Sequence, residues 1–366
     1  MDKKLGVYLH IPFCRSKCPY CDFFSGRGSE AEYGSYTAAL TDRIKEWSDR
    51  IKRTADTVYF GGGTPSVLGT DRLIDILQCA KQSFSIRENA EITLEVNPES
   101  GLKLDFHRLK SAGFNRISIG MQSSDERELK TLGRIHSPSD AKKTVEKAKK
   151  GGFENISLDL MMGIPHQTKE SLKRSIDFCA ECGVTHISSY IMKVEQGTRF
   201  YSIKEQLQLP DEDEQASLYL FAVDYLDKLG FNQYEISNFS KTGFESRHNT
   251  LYWKCGEYIG IGPSAHSFYH GKRFYYERDI QSFFDGKITD DGTGGDESEY
   301  IMLALRLRSG LDFAEYEKRF GCPLPQSTYT KIQKYARAGF MECDSKRACF
   351  TPRGFLVSNA ILSDIL

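Results

Sequence analysis

The sequence predicts an α/β fold: a partial (β/α)6 barrel followed by a smaller α+β C-terminal region with a winged-helix-like end. Three observations carry this. Up to about residue 205, short runs rich in β-branched and aromatic residues alternate with stretches of helical periodicity. Cysteines, glycines and isolated polar residues gather just after those runs, where α/β barrels keep their chemistry. Beyond about residue 210 the strict alternation stops.

The strands are expected at residues 6–11, 57–60, 91–96, 116–120, 155–160 and 186–191. Between the first two, Tyr36, Leu40, Ile44, Trp47 and Ile51 recur at helical spacing, and Leu73, Ile76, Leu77 and Ala80 do so after the second. Gly113 and Gly183 stand where a helix would end in a left-handed cap before the next strand. Six such units imply a parallel sheet, doubly wound or curled into an incomplete barrel. The placement of the polar residues favours the barrel. "DEDEQASLYLFAVDYLDKLGF" predicts one more helix, opened by acids that suit its positive end. Residues 236–268 read as irregular, binding-type structure, and "DDGTGGDE" at 290–297 as a loop and hinge. The expected organisation is a barrel over 1–235, an irregular segment and linker over 236–297, and a small helical, winged-helix-like unit over 298–366 with a strand pair near 343–350.

The chain has 366 residues, 39% hydrophobic and 27% charged, enough for a substantial core and ordinary for a soluble globular protein. A formal net charge of −1 lacks the basic footprint of a nucleic-acid binder. The N-terminus has no apolar signal core and no run reaches membrane-spanning length, so a cytoplasmic protein without an integral membrane segment is expected. In that compartment ten cysteines are thiols, metal ligands or buried fillers rather than a disulfide frame.

Cys14, Cys18 and Cys21 follow the first strand, separated by three and then two residues. Such a set can hold zinc, with His10 as fourth ligand, or an iron–sulfur cluster. Pro12, Lys17 and Pro19 mark an exposed loop, against three unrelated buried thiols. A four-iron cluster on three thiolates leaves one iron open to a small molecule. This spacing after strand one resembles the radical S-adenosylmethionine superfamily, and "GGGTPS", "EVNPES", "RISIGMQS" and "LDLMMGIPHQT" follow in the order seen in the branch containing oxygen-independent coproporphyrinogen III oxidase. The resemblance covers at least Tyr8 to His266. It implies a [4Fe–4S] cluster on the three cysteines and S-adenosylmethionine on its open iron. It further implies cofactor contacts from Gly62, Gly63 and Thr64 through bare backbone, from Glu95 to a ribose hydroxyl or ammonium, and from Gln122, Arg134 and Asp159. Tyr8 and Tyr20 would flank the cluster. A reductant such as flavodoxin or ferredoxin is implied as a partner.

Two departures separate the chain from the oxidase. Phe23 stands where the oxidase has a further cysteine, and only seven residues precede Tyr8, too few for the oxidase's N-terminal extension. "RHNTLYWKCGEYIGIGPSAHSF" carries His248-Asn249-x-x-Tyr252-Trp253, which looks like the haem-binding signature of the HemW group of radical-SAM haem chaperones. That resemblance implies haem as a third cofactor, with His248 as its contact and His266 as a weaker second, and delivery to haem-requiring apoproteins. No catalytic side chain is assigned. Two rival readings remain: oxidative decarboxylation of coproporphyrinogen III, and a binding module with structural zinc on the cysteine loop. Cys179 and Cys182 lie on a predicted helix without a partner pair, so packing is expected of them. "KKTVEKAKKGG" reads as a solvated helix face.

Overall fold

All six expected strands form, most of them longer than expected: β1 (Leu5–Ile11), β2 (Thr54–Gly62), β3 (Ser85–Val96), β4 (Arg116–Gln122), β5 (Asn155–Met162) and β6 (His186–Ile191). The structure, a computed structural model, describes residues 4–366. Neighbouring strands from β1 to β6 pair in parallel and in sequence order. Their side chains alternate between two unlike surfaces, as the strand period of two requires. Val58, Phe60, Leu94, Ile117, Ile119, Leu158 and Ile187 pack into the main hydrophobic core beneath the helices. The intervening residues Tyr59, Glu95, Arg116, Ser118, Asp159 and Ser188 line an interior cavity. The barrel interior is therefore polar, and the apolar burial that holds the sheet lies outside it, under the helices.

Local sequence fixes where those helices begin and end. Helix Glu30–Ile51 opens with a capping box between Ser29 and Glu32 and buries the expected stripe from Tyr36 to Ile51. Gly113 caps helix Phe106–Ala112 at φ 117°, a left-handed conformation that favours glycine. Asp211 and Glu214 form the capping box of helix Glu212–Lys228, the helix expected from its acidic opening. Cys179 and Cys182 are buried at the end of helix Lys169–Glu181, in the packing role expected of them.

The segment after residue 236, expected to be irregular, instead extends the sheet at both ends. After the short strands β7 (Asn232–Gln233) and β8 (Asn238–Ser240), which pair antiparallel beside β6, the chain forms helix Arg247–Trp253 and returns as β9 (Glu257–Ile261). β9 runs parallel to β1, Leu5 opposite Glu257 and Leu9 opposite Ile261. β10 (His266–Tyr269), β11 (Lys272–Tyr276) and β12 (Ile288–Thr293) complete an open sheet of twelve strands. The expected hinge at 290–297 is a second correction, because Asp290 and Thr293 pair with β11 and helix Glu297–Ala304 begins immediately after. Glycine at Gly292 and Gly295, each at positive φ, imitates a loop in the sequence while serving a twisted edge strand and its exit.

At the C-terminus, β13 (Leu311–Asp312), β14 (Met341–Cys343) and β15 (Arg347–Phe350) form a three-stranded antiparallel sheet around helices Phe313–Phe320 and Gln326–Arg337, so the expected strand pair is present. Among the described residues, no helix is long and apolar enough to cross a membrane.

Candidate functional site

The cysteine loop is built onto the end of β1 and clamped by the glycine loop after β2. Cys14 N donates to Gly26 O at 2.8 Å and Cys21 N to Cys18 O at 3.1 Å. From the second loop, Gly63 N donates to Ile11 O at 2.8 Å and Thr64 N to Phe13 O at 2.7 Å. The two glycines serve different ends. A Cβ on Gly62 would lie 2.6 Å from the His10 ring, and φ there is 110°. A Cβ on Gly63 would lie 2.6 Å from Phe13 O and 2.9 Å from Ile11 O. Gly63 thus owes its bare backbone first to the close approach of the two loops, a reason the sequence does not reveal.

All three cysteines are free, partly exposed, and line a cavity of about 500 Å³ running into the barrel. Tyr20, Gly62, Gly63, Thr64, Glu95, Gln122, Arg134 and Asp159 line the same cavity. Arg134 Nη1 lies 3.8 Å from Cys18 Sγ, and Thr64 Oγ1 lies 3.3 Å from Cys14 Sγ. Asn97 joins them, its Nδ2 donating to Thr64 Oγ1 at 3.0 Å and its Oδ1 accepting from Arg134 at 3.3 Å. Among the described residues, no three histidine, cysteine or acidic side chains converge as a single metal ion would require. His10 is not open to a metal, since its Nε2 lies 2.9 Å from Phe24 O and its Nδ1 3.2 Å from Tyr8 OH. Burial lowers its pKa to about 4.

Further in, the cavity holds two acids and a cation. Burial pushes Glu95 up to about 7, against the hydrogen bond that Tyr59 OH donates to it at 2.7 Å. Asp159 is also raised by burial, although Ser118 and Ser157 donate to it at 3.1 and 3.2 Å. Arg116 is 1% exposed, and its Nε and Nη1 have no hydrogen-bond partner. Burial opposes its charge, and Glu91, Tyr59, Tyr234 and Asp159 outweigh that cost. Arg134 Nε is unpaired as well. Open donors facing ionisable acceptors suit a ligand that carries a carboxylate, an ammonium group and hydroxyls together. Arg116 and Ser118 were missed by sequence reasoning. Their signal is the alternation Arg116, Ser118, Gly120, Gln122 along "RISIGMQ", all four on the cavity face.

Two expected contacts lie apart from this lining. Tyr8 and His248 are not cavity residues. His248 is 1% exposed, with Nδ1 2.7 Å from Thr57 Oγ1 and Nε2 2.7 Å from Tyr252 OH. Burial holds its pKa down at about 3, and its ring stacks on Tyr59 with centroids 5.0 Å apart. Both ring nitrogens are therefore engaged. Asn249, the next residue of the motif, does reach the cavity. His266 is exposed, stacked on Tyr275 with centroids 5.0 Å apart, and its Nδ1 lies 3.8 Å from Asp291.

Comparison with known proteins gives the family and the fold. The model of the Radical SAM superfamily matches residues 8–179 and that of the HemN C-terminal domain residues 298–357. The Heme chaperone HemW of Mycobacterium tuberculosis is 33% identical, with 99% of this chain and 94% of that protein covered. The Heme chaperone HemW of Lactococcus lactis is 31% identical, covering 100% and 98%, and that of Bacillus subtilis 31%, covering 99% and 99%. Among solved structures, coproporphyrinogen III oxidase (HemN) from Escherichia coli has the same fold, with a TM-score of 0.84 at 19% identity over 100% of this chain and 90% of that one.

Proposed function

Since the chain belongs to the Heme chaperone HemW family of radical SAM proteins, we propose that it binds a [4Fe–4S] cluster, S-adenosylmethionine and haem, and passes the haem to apoproteins. The observation that carries this reading is the opening of three free thiols onto a cavity that also holds Glu95, Asp159, Arg134 and the unpaired donors of Arg116. Cys14, Cys18 and Cys21 hold the cluster. When bound, it supplies an open iron for S-adenosylmethionine and the electron for its cleavage. The chain's own groups bind and orient. Gly62 and Thr64 present backbone and hydroxyl at the mouth, Glu95 accepts from a ribose hydroxyl or ammonium, and Arg134 pairs with a carboxylate. Gln122, Asp159 and Tyr20 complete the walls, and Tyr8, outside the lining, bonds His10, whose ring lies against Gly62.

His248 is the proposed haem contact. Its neutral form is the one that ligates iron, and it is freed by giving up its bond to Tyr252 or Thr57. Anaerobic reconstitution followed by haem titration tests the reading. The expected results are iron and acid-labile sulfide in the protein, a Soret change in wild type, and a weakened one in His248→Ala. Zinc without sulfide, or no Soret change in wild type, refutes it, as does clear turnover of coproporphyrinogen III.

A further inference from the structure

Helix Arg247–Trp253 separates two cavities. Asn249 faces the cluster cavity, whereas Arg247, Thr250, Leu251 and Lys254, spaced as one helical face, line a second cavity of about 860 Å³. Its opposite wall comes from the C-terminal unit through Lys318, Arg319 and Phe320. Resting on the haem reading above, we infer that this second cavity seats the haem, with Lys254 and Lys318 holding its two carboxylates.

Charge points to a dianion. Asp56 is already paired with Arg87 at 2.7 Å and accepts from Leu5 N at 2.9 Å, and Glu257 is paired with Arg53. Among the described residues, Glu245 is the one lining acid without a cation, and it accepts only from Gly243 N at 3.3 Å. The cations are in the opposite state. Lys4, Lys254 and Lys318 line the cavity with no ion-pair or hydrogen-bond partner among the described residues. Arg319 is steadied by its bond to Cys255 O at 3.2 Å and by Tyr300, whose ring centre lies 4.8 Å from its guanidinium. Leu251, Phe268 and Phe320 add apolar surface to a lining that is otherwise largely charged, polar or glycine. A cavity of this size that combines such surface with unpartnered lysines suits a macrocycle carrying two carboxylates.

Position points the same way. Thr57 lines this cavity, and its hydroxyl bonds His248. His248 stacks on Tyr59, which donates to Glu95 in the cluster cavity. The proposed haem seat is therefore one residue from the histidine of the motif, and that histidine stacks directly on a residue of the cofactor cavity.

The test titrates the reconstituted full chain with haem and with haem dimethyl ester, followed in the Soret band. Wild type binds haem about tenfold or more tighter than the ester, the effect of charge-assisted hydrogen bonds. Lys254→Ala with Lys318→Ala weakens haem by about tenfold, leaves the ester within about twofold, and thereby removes the discrimination. Lys254→Arg with Lys318→Arg retains it. Both lysines are exposed, so an unchanged thermal melt accompanies the loss. Haem affinity in the double alanine variant equal to wild type overturns this seat while the chaperone reading stands. No Soret change in wild type removes the chaperone reading itself.

Discussion

Replacing Glu95 by glutamine isolates the electrostatics of the cluster cavity. Burial raises this carboxyl from 4.5 to about 7, so above neutrality the fold carries a charge it would rather lose. Each tenfold change in proton affinity corresponds to about 1.4 kcal/mol, which sets the penalty at about 3 kcal/mol once the group is fully ionised. Glu95 lines an open cavity, and water there screens part of it, leaving about 1–3 kcal/mol. The sign follows from proton counts. Between pH 4.5 and 7 the folded chain binds more protons at this site than the unfolded chain, so the site's contribution to stability falls as pH rises and is flat above about 8. Glutamine mimics the protonated acid at every pH. Urea unfolding of the cofactor-free protein at pH 5, 6, 7 and 8 is expected to show Glu95→Gln gaining on wild type by about 1–2 kcal/mol across that range. Binding moves the opposite way. S-adenosylmethionine brings a sulfonium and an ammonium that favour ionised Glu95, so its affinity for the reconstituted wild type rises through pH 7, and the variant binds more weakly with a flatter profile. A stability gap constant with pH, or one that narrows, refutes the reasoning.

Gly63→Ala drives a Cβ to within 2.6 Å of Phe13 O, a backbone atom that cannot step aside. We expect a loss of about 2 kcal/mol in urea unfolding and depleted iron after reconstitution; full loading with an unchanged midpoint would show that the two loops tolerate separation. Burial keeps His248 at about 3, His10 at about 4 and His186 well below its usual value. The unfolded chain takes up protons on them below about pH 6.5 while the folded chain does not, so their stabilisation is complete above 6.5 and lost on acidification. Glu95 and Glu235, both raised to about 7 by burial, offset two of the three, and Asp159, also raised by burial, offsets part of the third. A net decline on acidification between 6.5 and 4.5, of at most about 1.4 kcal/mol per pH unit, is expected, and a rising urea midpoint contradicts it. Because Tyr59 and His248 join the two cavities, S-adenosylmethionine and haem should change each other's affinity by the same factor; equilibrium titrations giving a factor of one in both directions make the stack merely structural.

The six core strands are legible because each is a short β-branched run bounded by its own cap or glycine, information local to the segment. β9 is not. Its sequence "EYIGI" sits among glycines and aromatics like a binding loop, and only its pairing with β1, more than two hundred residues earlier in the chain, makes it a central strand. The cluster cavity was readable in outline, since strand ends bring Thr64, Glu95, Gln122 and Asp159 to one mouth. Arg116 was hidden by a different rule. Alternation along β4 assigns it a face, but not which face is the interior, and a polar interior reverses the usual expectation that the buried side is apolar. The second cavity has no local signature at all, because Lys4, Thr57, Lys254 and Lys318 come from four separate parts of the chain.

The burial of His248 changes what its motif does. Glu91 on β3 accepts from Arg247 N and His248 N, each at 2.9 Å, and so caps helix Arg247–Trp253 from inside the barrel, where the electrostatic neighbour of Glu91 is the unpaired Arg116. Gly6 on β1 admits the helix closely, since a Cβ there would lie 2.7 Å from Leu251 and 3.2 Å from His248. A helix only seven residues long has little stability of its own and exists here because the barrel floor supplies its cap and its packing. Histidine fits that role better than an apolar residue, because its two nitrogens satisfy Thr57 on one side and Tyr252 on the other. The motif is thus first a structural partition, with Asn249 turned to the cluster cavity and Lys254 to the second. Any binding at His248 must compete with two buried hydrogen bonds, at about 1 kcal/mol net for each one broken. On the proposed reading, carboxylates anchored at the rim offset that cost, so haem is expected to reach the histidine more readily than its dimethyl ester does.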